Sequence, residues 1–139
     1  MIKVLDIPHI FTAGIFCTGI SKDMPSVDTF LEKFVVDVDK LQNKESPFRI
    51  KIGPFVCDAL MRAYLKGIVA HNSRNSCERC TVKGDNHGHH ITLRNINETR
   101  RNDRSFHERI DHAHHKTLEL SLLETKINIP MVSGFKRGY

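Results

Sequence analysis

The stretch Phe55-Val-Cys-Asp-Ala-Leu-Met-Arg-Ala-Tyr-Leu-Lys-Gly67 decides the fold class of this chain. Its first three residues are an apolar run that stops at Asp58, which is typical of a short buried strand. Residues 59–68 then have helix-forming composition. Their apolar side chains fall on one predicted helical face: Leu60, Tyr64, Leu65 and Ile68. A strand followed at once by a helix predicts an α/β arrangement.

The residues before this stretch repeat the pattern. Residues 11–17 form an apolar run that predicts a strand, and residues 48–52 alternate apolar and basic side chains with the period of a half-buried strand. Between them lies a helical stripe capped by Ser26: Val27, Phe30, Leu31, Phe34, Val35, Val38 and Leu41. The order of strand, helix, strand and helix predicts a sheet with a parallel pair.

The chain changes character after Gly67. Residues 71–116 are polar, basic and rich in histidine, with Ile91-Thr-Leu93 as a short predicted strand. Residues 117–139 become apolar again. We therefore expect three parts: an α/β core over 1–70, a Cys/His insertion over 71–116, and a C-terminal segment over 117–139 that returns to the core.

Composition restricts the compartment and the partners. No run of about 18 apolar residues predicts a membrane span, and residues 1–8 are too interrupted for a secretory signal. Four cysteines could form two disulfides, but Cys17 and Cys57 end apolar runs, as buried free thiols do. We expect an intracellular protein, in the nucleus or the cytoplasm, that makes no contact with a membrane.

Cys77 and Cys80 are two residues apart in the polar stretch Cys-Glu-Arg-Cys. This spacing lets one tight turn present two thiolates to a structural Zn²⁺, which needs two further ligands. An idle thiol pair is the second interpretation. A redox motif is the third, although such motifs usually start a helix after a strand.

Histidines could supply the missing ligands. His71 lies upstream of the cysteines. Seven more lie downstream: His87, His89, His90, His107, His112, His114 and His115. None has the spacing of an ordinary zinc finger, and we expect at most two of the nine histidines to bind metal.

The net charge of +5 is concentrated in residues 60–104, which hold nine Lys and Arg against four Asp and Glu. Basic segments neutralise phosphates, so we predict a DNA partner. The candidate contacts are Arg62, Lys66, Arg74, Arg79, Lys83, Arg94, Arg100 and Arg101. A solvated surface with a modest charge bias is the alternative interpretation.

Asp58 lies where α/β folds present carboxylates, just beyond the end of a strand. The same residue could serve only as the N-cap of the following helix, with no catalytic or metal-binding role. Local context favours the cap. No phosphate-binding glycine loop or nucleophile elbow is present in the sequence.

Several blocks together resemble one family. They are the stretch from Phe55 to Gly67, His71-Asn72, and Cys77-Glu-Arg-Cys-Thr-Val-Lys-Gly84. Shorter matches follow at 103–106, 114–116 and 130–133, so the likeness runs from about Phe11 to Ser133. These blocks resemble the transposase-domain proteins of eukaryotic cut-and-paste DNA transposons, of a broadly CACTA-like kind.

The resemblance implies a ribonuclease H-like nuclease in which three acids bind two Mg²⁺ or Mn²⁺ ions for in-line displacement at phosphorus. Asp58 would be the second acid. Cys77 and Cys80 would begin a zinc-bound insertion between the second and third acids. The other zinc ligands would be His71, or His114 and His115, or would lie beyond the chain.

The chain also departs from that pattern. The first acid would precede Phe11, where Asp6 is a poor substitute, and the third would follow Pro130. We therefore expect a partial ribonuclease H-like sheet-and-helix layer, from an internal fragment or a decayed copy, that is inactive alone. Missing strands would leave exposed sheet edges open to self-association. The rival interpretations are a non-enzymatic zinc-dependent nucleic-acid-binding module and a gene relic without function.

Overall fold

The computed structural model describes residues 25–42, 52–88, 90–95 and 97–137. In chain order the elements are α1 (Val27–Gln42), β1 (Phe55–Cys57), α2 (Ala59–Leu65), β2 (Asp85–His87), β3 (His90–Thr92), α3 (Asp103–His107), a 3₁₀ turn (His112–His114), α4 (Leu122–Thr125) and β4 (Phe135–Arg137). The predicted strand at 11–17 and all but Ile52 of the one at 48–52 lie outside the described residues; Ile52 itself is not in a strand.

Helix α1 confirms the periodic stripe except at its end, where Leu41 is exposed. The Ser26 hydroxyl accepts a hydrogen bond from the Thr29 amide at 3.1 Å, which caps the first turn. Leu31, Val35 and Val38 are buried, while the charged residues of the opposite face meet solvent. The helix packs against α4, whose Leu122 amide donates to Asp28 at 3.0 Å.

Strand β1 is present as predicted, but its partner is not one that the sequence indicates. It pairs in parallel with β4, with Phe55 opposite Phe135, and the two rings stack 5.1 Å apart. A parallel pair is therefore present, but it joins β1 to a strand near the end of the sequence; the pair predicted with the strand at 11–17 lies outside the described residues. Glycine before Phe135 and two basic residues after it hide this strand from a pattern search.

Helix α2 is shorter than predicted, ending at Leu65, and its inner face differs from the predicted one. Leu65 and Ile68 are buried, but Leu60 is 62% exposed. The Asp58 carboxylate accepts the Met61 amide at 2.7 Å and sets the start of the helix. Leu60 therefore falls in the first turn on the outer side.

The core draws on residues from both sides of the insertion and on one residue of the insertion itself, Phe106. Its buried members are Leu31, Val35, Ala63, Leu65, Ile68, Phe106, Leu123, Met131 and Phe135. Asp103 adds a polar link, because its carboxylate accepts the amides of Val132 and Ser133 and the Ser133 hydroxyl. These hydrogen bonds outweigh the effect of partial burial and hold the pKa of Asp103 below its usual range.

The middle of the insertion is a two-stranded ribbon. Strands β2 and β3 form an antiparallel hairpin, and a further bridge joins Cys80 to Arg100. We call residues 79–101 the basic ribbon; the structure does not describe 89 and 96. The ribbon is attached at Gly84, whose amide donates to the Arg74 carbonyl at 2.7 Å.

Helices combined with small sheets confirm the α/β class among the described residues. The two sheets have two strands each there, so a ribonuclease H-like arrangement stays a prediction. Within the same residues, no helix has both the length and the apolar character needed to cross a membrane.

Candidate metal centre and basic surface

Residues 77–80 form a tight loop that brings two thiols together. The sulfur atoms of Cys77 and Cys80 are 3.4 Å apart, and both side chains are partly exposed. The ribbon holds the loop on one side, because the Arg101 amide donates to the Arg79 carbonyl at 2.9 Å and the Thr81 amide to Thr99 at 3.0 Å. The thiol pair therefore belongs to a bend that hydrogen bonds to the ribbon hold in place.

Glu78, inside this loop, ties it to α2. Its carboxylate accepts hydrogen bonds from Lys66 Nζ at 2.9 Å and Arg62 Nε at 3.0 Å. Arg62 also donates to the Cys57 carbonyl at 2.6 Å. Burial alone would raise the pKa of Glu78, but Lys66 and Arg62 outweigh it and lower that pKa. The cysteine loop is thus fixed to the helix that follows Asp58.

The segment carrying His114 and His115 packs beside the end of α2. The Val69 amide donates to the His114 carbonyl at 2.9 Å, and His115 forms an antiparallel bridge with Ile68. Arg101 links the same segment to the cysteine loop, since its side chain donates to the Cys77 carbonyl at 2.9 Å and to Asp111 at 2.6 Å.

His114 has one ring nitrogen satisfied and one without a partner. Nδ1 lies 2.6 Å from the Asn75 carbonyl, which can only accept, so Nδ1 carries the proton. Nε2 is buried with no hydrogen-bond partner among the described residues, and the same holds for Nδ1 of His115. Burial lowers the pKa of both histidines to about 4, so both are neutral at pH 7.

The donor chemistry at these residues suits zinc. In a tetrahedral site with Zn–S bonds of about 2.3 Å, two sulfurs lie about 3.8 Å apart, close to the thiol separation here. Burial alone would raise the pKa of Cys77. Hydrogen bonds from the Arg79 and Cys80 amides and the Cys80 thiol, together with the charge of Arg101, outweigh burial and lower that pKa. Burial and the adjacent Cys77 raise the pKa of Cys80.

The described side chains do not by themselves form a complete cation cage. Among them, no three His, Cys, Asp or Glu side chains are grouped so that they could hold a metal ion. The structure brings the cysteine pair together and anchors the two buried histidines to the same loops. It does not show all four donors around one point.

The remaining histidines are placed differently. His71 lies on an exposed turn, and His112 is exposed although it shares a turn with the buried His114. His87, His90 and His107 are exposed as well, and His89 is outside the described residues. Of the three histidines predicted as ligands, only His114 and His115 are buried.

Three of the predicted DNA-contact residues are internal. Arg62 is 7% exposed and Lys66 3%, and both bind Glu78. The side chain of Arg101 is 6% exposed and binds Asp111. This placement corrects the prediction that these three meet phosphates, because their charged groups are occupied by internal carboxylates and carbonyls.

The other five are exposed. Arg79, Lys83, Arg94 and Arg100 lie along the basic ribbon. Arg74 is also exposed, but its Nε donates to the Gly84 carbonyl at 3.0 Å and serves the ribbon's attachment. Four exposed basic residues of the ribbon therefore remain as candidate DNA contacts.

Asp58 is the N-cap of α2, the role that local sequence context favoured. Its carboxylate accepts from the Met61 amide, its side chain is exposed, and α2 begins at the next residue. A capping carboxylate keeps a second oxygen available, so this geometry shows the cap without testing the ligand role implied by the resemblance.

Two residues that shape the candidate metal centre were not among those predicted from the sequence. The Asn75 carbonyl orients His114, and a backbone acceptor has no signal in sequence. Glu78 had a signal, since an acid between two cysteines in a basic segment needs cationic partners.

Comparison with known proteins adds no relative, since no family model, curated protein or solved structure matches this chain.

Proposed function

We propose that this chain is a zinc-ordered, DNA-binding portion of a transposase-like protein that does not cleave DNA alone. Cys77, Cys80, His114 and His115 would hold the zinc ion. The observation that carries the proposal is the buried, unprotonated Nε2 of His114, whose other ring nitrogen donates to a carbonyl two residues before Cys77. Zinc-binding histidines are commonly oriented by such a bond.

A buried nitrogen without a partner is costly, and an ion is one way to satisfy it. A zinc ion would be the missing partner of the buried ring nitrogen in both histidines. It would also join the segment around residue 114 to the cysteine loop. It would complete a donor group that the described side chains do not form alone. Ordering by metal also suits an insertion with few apolar residues.

The transposase-like part of the proposal is supported by chain order. An acid follows strand β1, the Cys/His insertion comes next, and β4 then lies parallel to β1. The resemblance implies this order of acid and insertion. Two Mg²⁺ or Mn²⁺ ions need several carboxylates, and Asp58 is the one acid that the resemblance assigns in this chain. Access to chromosomal DNA would require the nucleus.

The same proposal includes self-association through sheet edges. Among the described residues β1 pairs with one strand only, and Val56 on it is 63% exposed. Sedimentation at increasing concentration would show whether the chain forms dimers.

Zinc content tests the metal centre. We expect about one zinc per purified chain, lost in His114→Ala and kept in His112→Ala, an exposed neighbour in the same turn. Loss of structure in chelator should accompany loss of metal, as read by circular dichroism. Zinc-free wild-type protein with an unchanged spectrum in chelator would refute the site.

DNA affinity tests the surface. Changing Arg79, Lys83, Arg94 and Arg100 to Gln should weaken duplex binding and reduce the salt dependence of log K by about one unit for each phosphate that is no longer neutralised. The matched control removes four exposed lysines elsewhere: Lys33, Lys40, Lys116 and Lys126. Equal weakening in both variants would indicate only net charge, and aggregation without metal-dependent ordering would favour a relic.

A further inference from the structure

We propose that Cys77 and Cys80 are a redox-sensitive modification site, at which a hydroperoxide joins the two thiols in a disulfide. The consequence for metal rests on the zinc centre proposed above, because a disulfide and a zinc-bound thiolate pair exclude each other. Formation of the bond itself depends only on this chain's two cysteines.

The two sulfurs are already close enough. They lie 3.4 Å apart, and a disulfide of about 2.05 Å needs them to approach by only about 1.4 Å. Neither side chain is buried, so a small oxidant can reach them from solvent. Cys57, the other described cysteine, has no such neighbour among the described residues.

The loop that holds the thiols is anchored without metal. Glu78 binds Lys66 and Arg62, and the Arg101 side chain binds the Cys77 carbonyl. The ribbon hydrogen bonds of Arg79 and Thr81 fix the other side. Because the backbone on both sides of each cysteine is held, the sulfurs remain neighbours when no ion bridges them.

The chemistry balances in two steps. One thiolate attacks a peroxide oxygen, the O–O bond breaks, hydroxide leaves, and the sulfur becomes a sulfenic acid. The second thiol attacks that sulfur, the S–O bond breaks, and water forms with the released proton. The sulfurs together lose two electrons, and the peroxide gains them.

Oxidation would then control the insertion. A sulfur in a disulfide is no longer an anionic ligand, so the ion would lose two of its four donors and leave. The site differs from a disulfide oxidoreductase motif, because residues 77–80 form a bend and do not start a helix. Oxidation of this site would change whether zinc is bound, and a dithiol would reverse that change.

The test uses the full chain, reduced and loaded with zinc, then treated with one equivalent of hydrogen peroxide. Alkylation and peptide mapping should find Cys77 and Cys80 linked, with a mass loss of about 2 Da. A colorimetric chelator should detect about one zinc released per disulfide. Dithiothreitol with added zinc should restore both readings. Cys57→Ser should behave as wild type, and Cys80→Ser should form no internal disulfide.

Two results would overturn the proposal: a disulfide that uses Cys17 or Cys57, or overoxidation of a single cysteine without linkage. Linkage with the zinc retained would support the redox site and would show that the two cysteines do not hold the zinc. Oxidation of zinc-free protein tests the disulfide independently of the proposed zinc centre. A chain that never binds zinc but still forms the Cys77–Cys80 bond would refute the metal centre and support the redox site. A chain that binds zinc but forms no such bond would do the reverse.

Discussion

Arg109 combines a buried charge with an unfavourable backbone conformation. It is 6% exposed and has a backbone φ of 53°, in the left-handed region. Its guanidinium donates to both carboxylate oxygens of Glu124, at 2.9 and 2.6 Å, and also to the carbonyls of Phe106 and Glu119. One side chain therefore joins α3, α4 and the chain between them.

Arg109→Ala should destabilise the fold by about 3–5 kcal/mol, because buried Glu124 would lose its guanidinium partner. The two Ser121 hydrogen bonds and His107, at 3.7 Å, would remain at that carboxylate. Arg104→Ala is the matched control: its pair with Glu108 is solvent-exposed, and its loss should leave the free energy of unfolding nearly unchanged. Urea unfolding at fixed zinc concentration measures both.

If Arg109→Ala fails to fold, the double variant Arg109→Met with Glu124→Met decides the cause. Removing both charges should recover part of the loss, since no buried charge then lacks a partner. Equal losses in Arg109→Ala and Arg104→Ala would show that the buried pair has no special role.

Residue environments are the least predictable feature of this sequence. The sequence predicts Arg62 and Lys66 at the surface, because basic residues in a basic segment usually lie there. They are buried because Glu78, more than ten positions along the chain, folds back onto α2. Pairing of this kind depends on tertiary structure and leaves no periodic signal in the sequence.

At the scale of elements, periodicity predicts the longer features. Helix α1 extends over four turns with a consistent apolar stripe, and β1 follows from its apolar run. The sequence does not predict β2 and β4, because Asp-Asn-His and Phe-Lys-Arg lack the apolar run that marks a buried strand. The ribbon depends on close backbone approach, for which the sequence offers only Gly84.

Gly84→Ala should loosen the basic ribbon. A Cβ there would lie 2.2 Å from Ile91 Cγ2 and 3.2 Å from Leu93 Cδ2, so the strand carrying Ile91 would have to shift. We expect a loss of about 1–3 kcal/mol. Hydrogen exchange at the Thr81 and Arg101 amides, which donate across the ribbon, should quicken.

Gly53→Ala is the control for Gly84→Ala, because a Cβ at Gly53 meets nothing within 4 Å. It should change stability by at most about 1 kcal/mol, with a tendency to stabilise. Unchanged exchange in the ribbon of Gly84→Ala would mean that the contact at Ile91 relaxes without cost.

At the scale of the whole molecule, the fold class follows from the order of elements, but the site does not. Cys77 and Cys80 are recognisable by spacing, whereas the choice of His114 and His115 over His71 needs burial. One turn holds both the exposed His112 and the buried His114, so residue type and local composition cannot distinguish them.

The whole chain should bind DNA without cutting it. With Mg²⁺ or Mn²⁺ present, supercoiled plasmid should stay intact, because a two-ion site needs more carboxylates than Asp58 supplies. Asp58→Ala should lower stability by about 0.5–2 kcal/mol through loss of the cap on α2, and DNA affinity should not change. Asp58→Asn is the matched variant: it keeps an acceptor for the Met61 amide and should retain most of that stability. Nicking by the wild type that both variants abolish would show that Asp58 is a metal ligand and that this chain is an active nuclease.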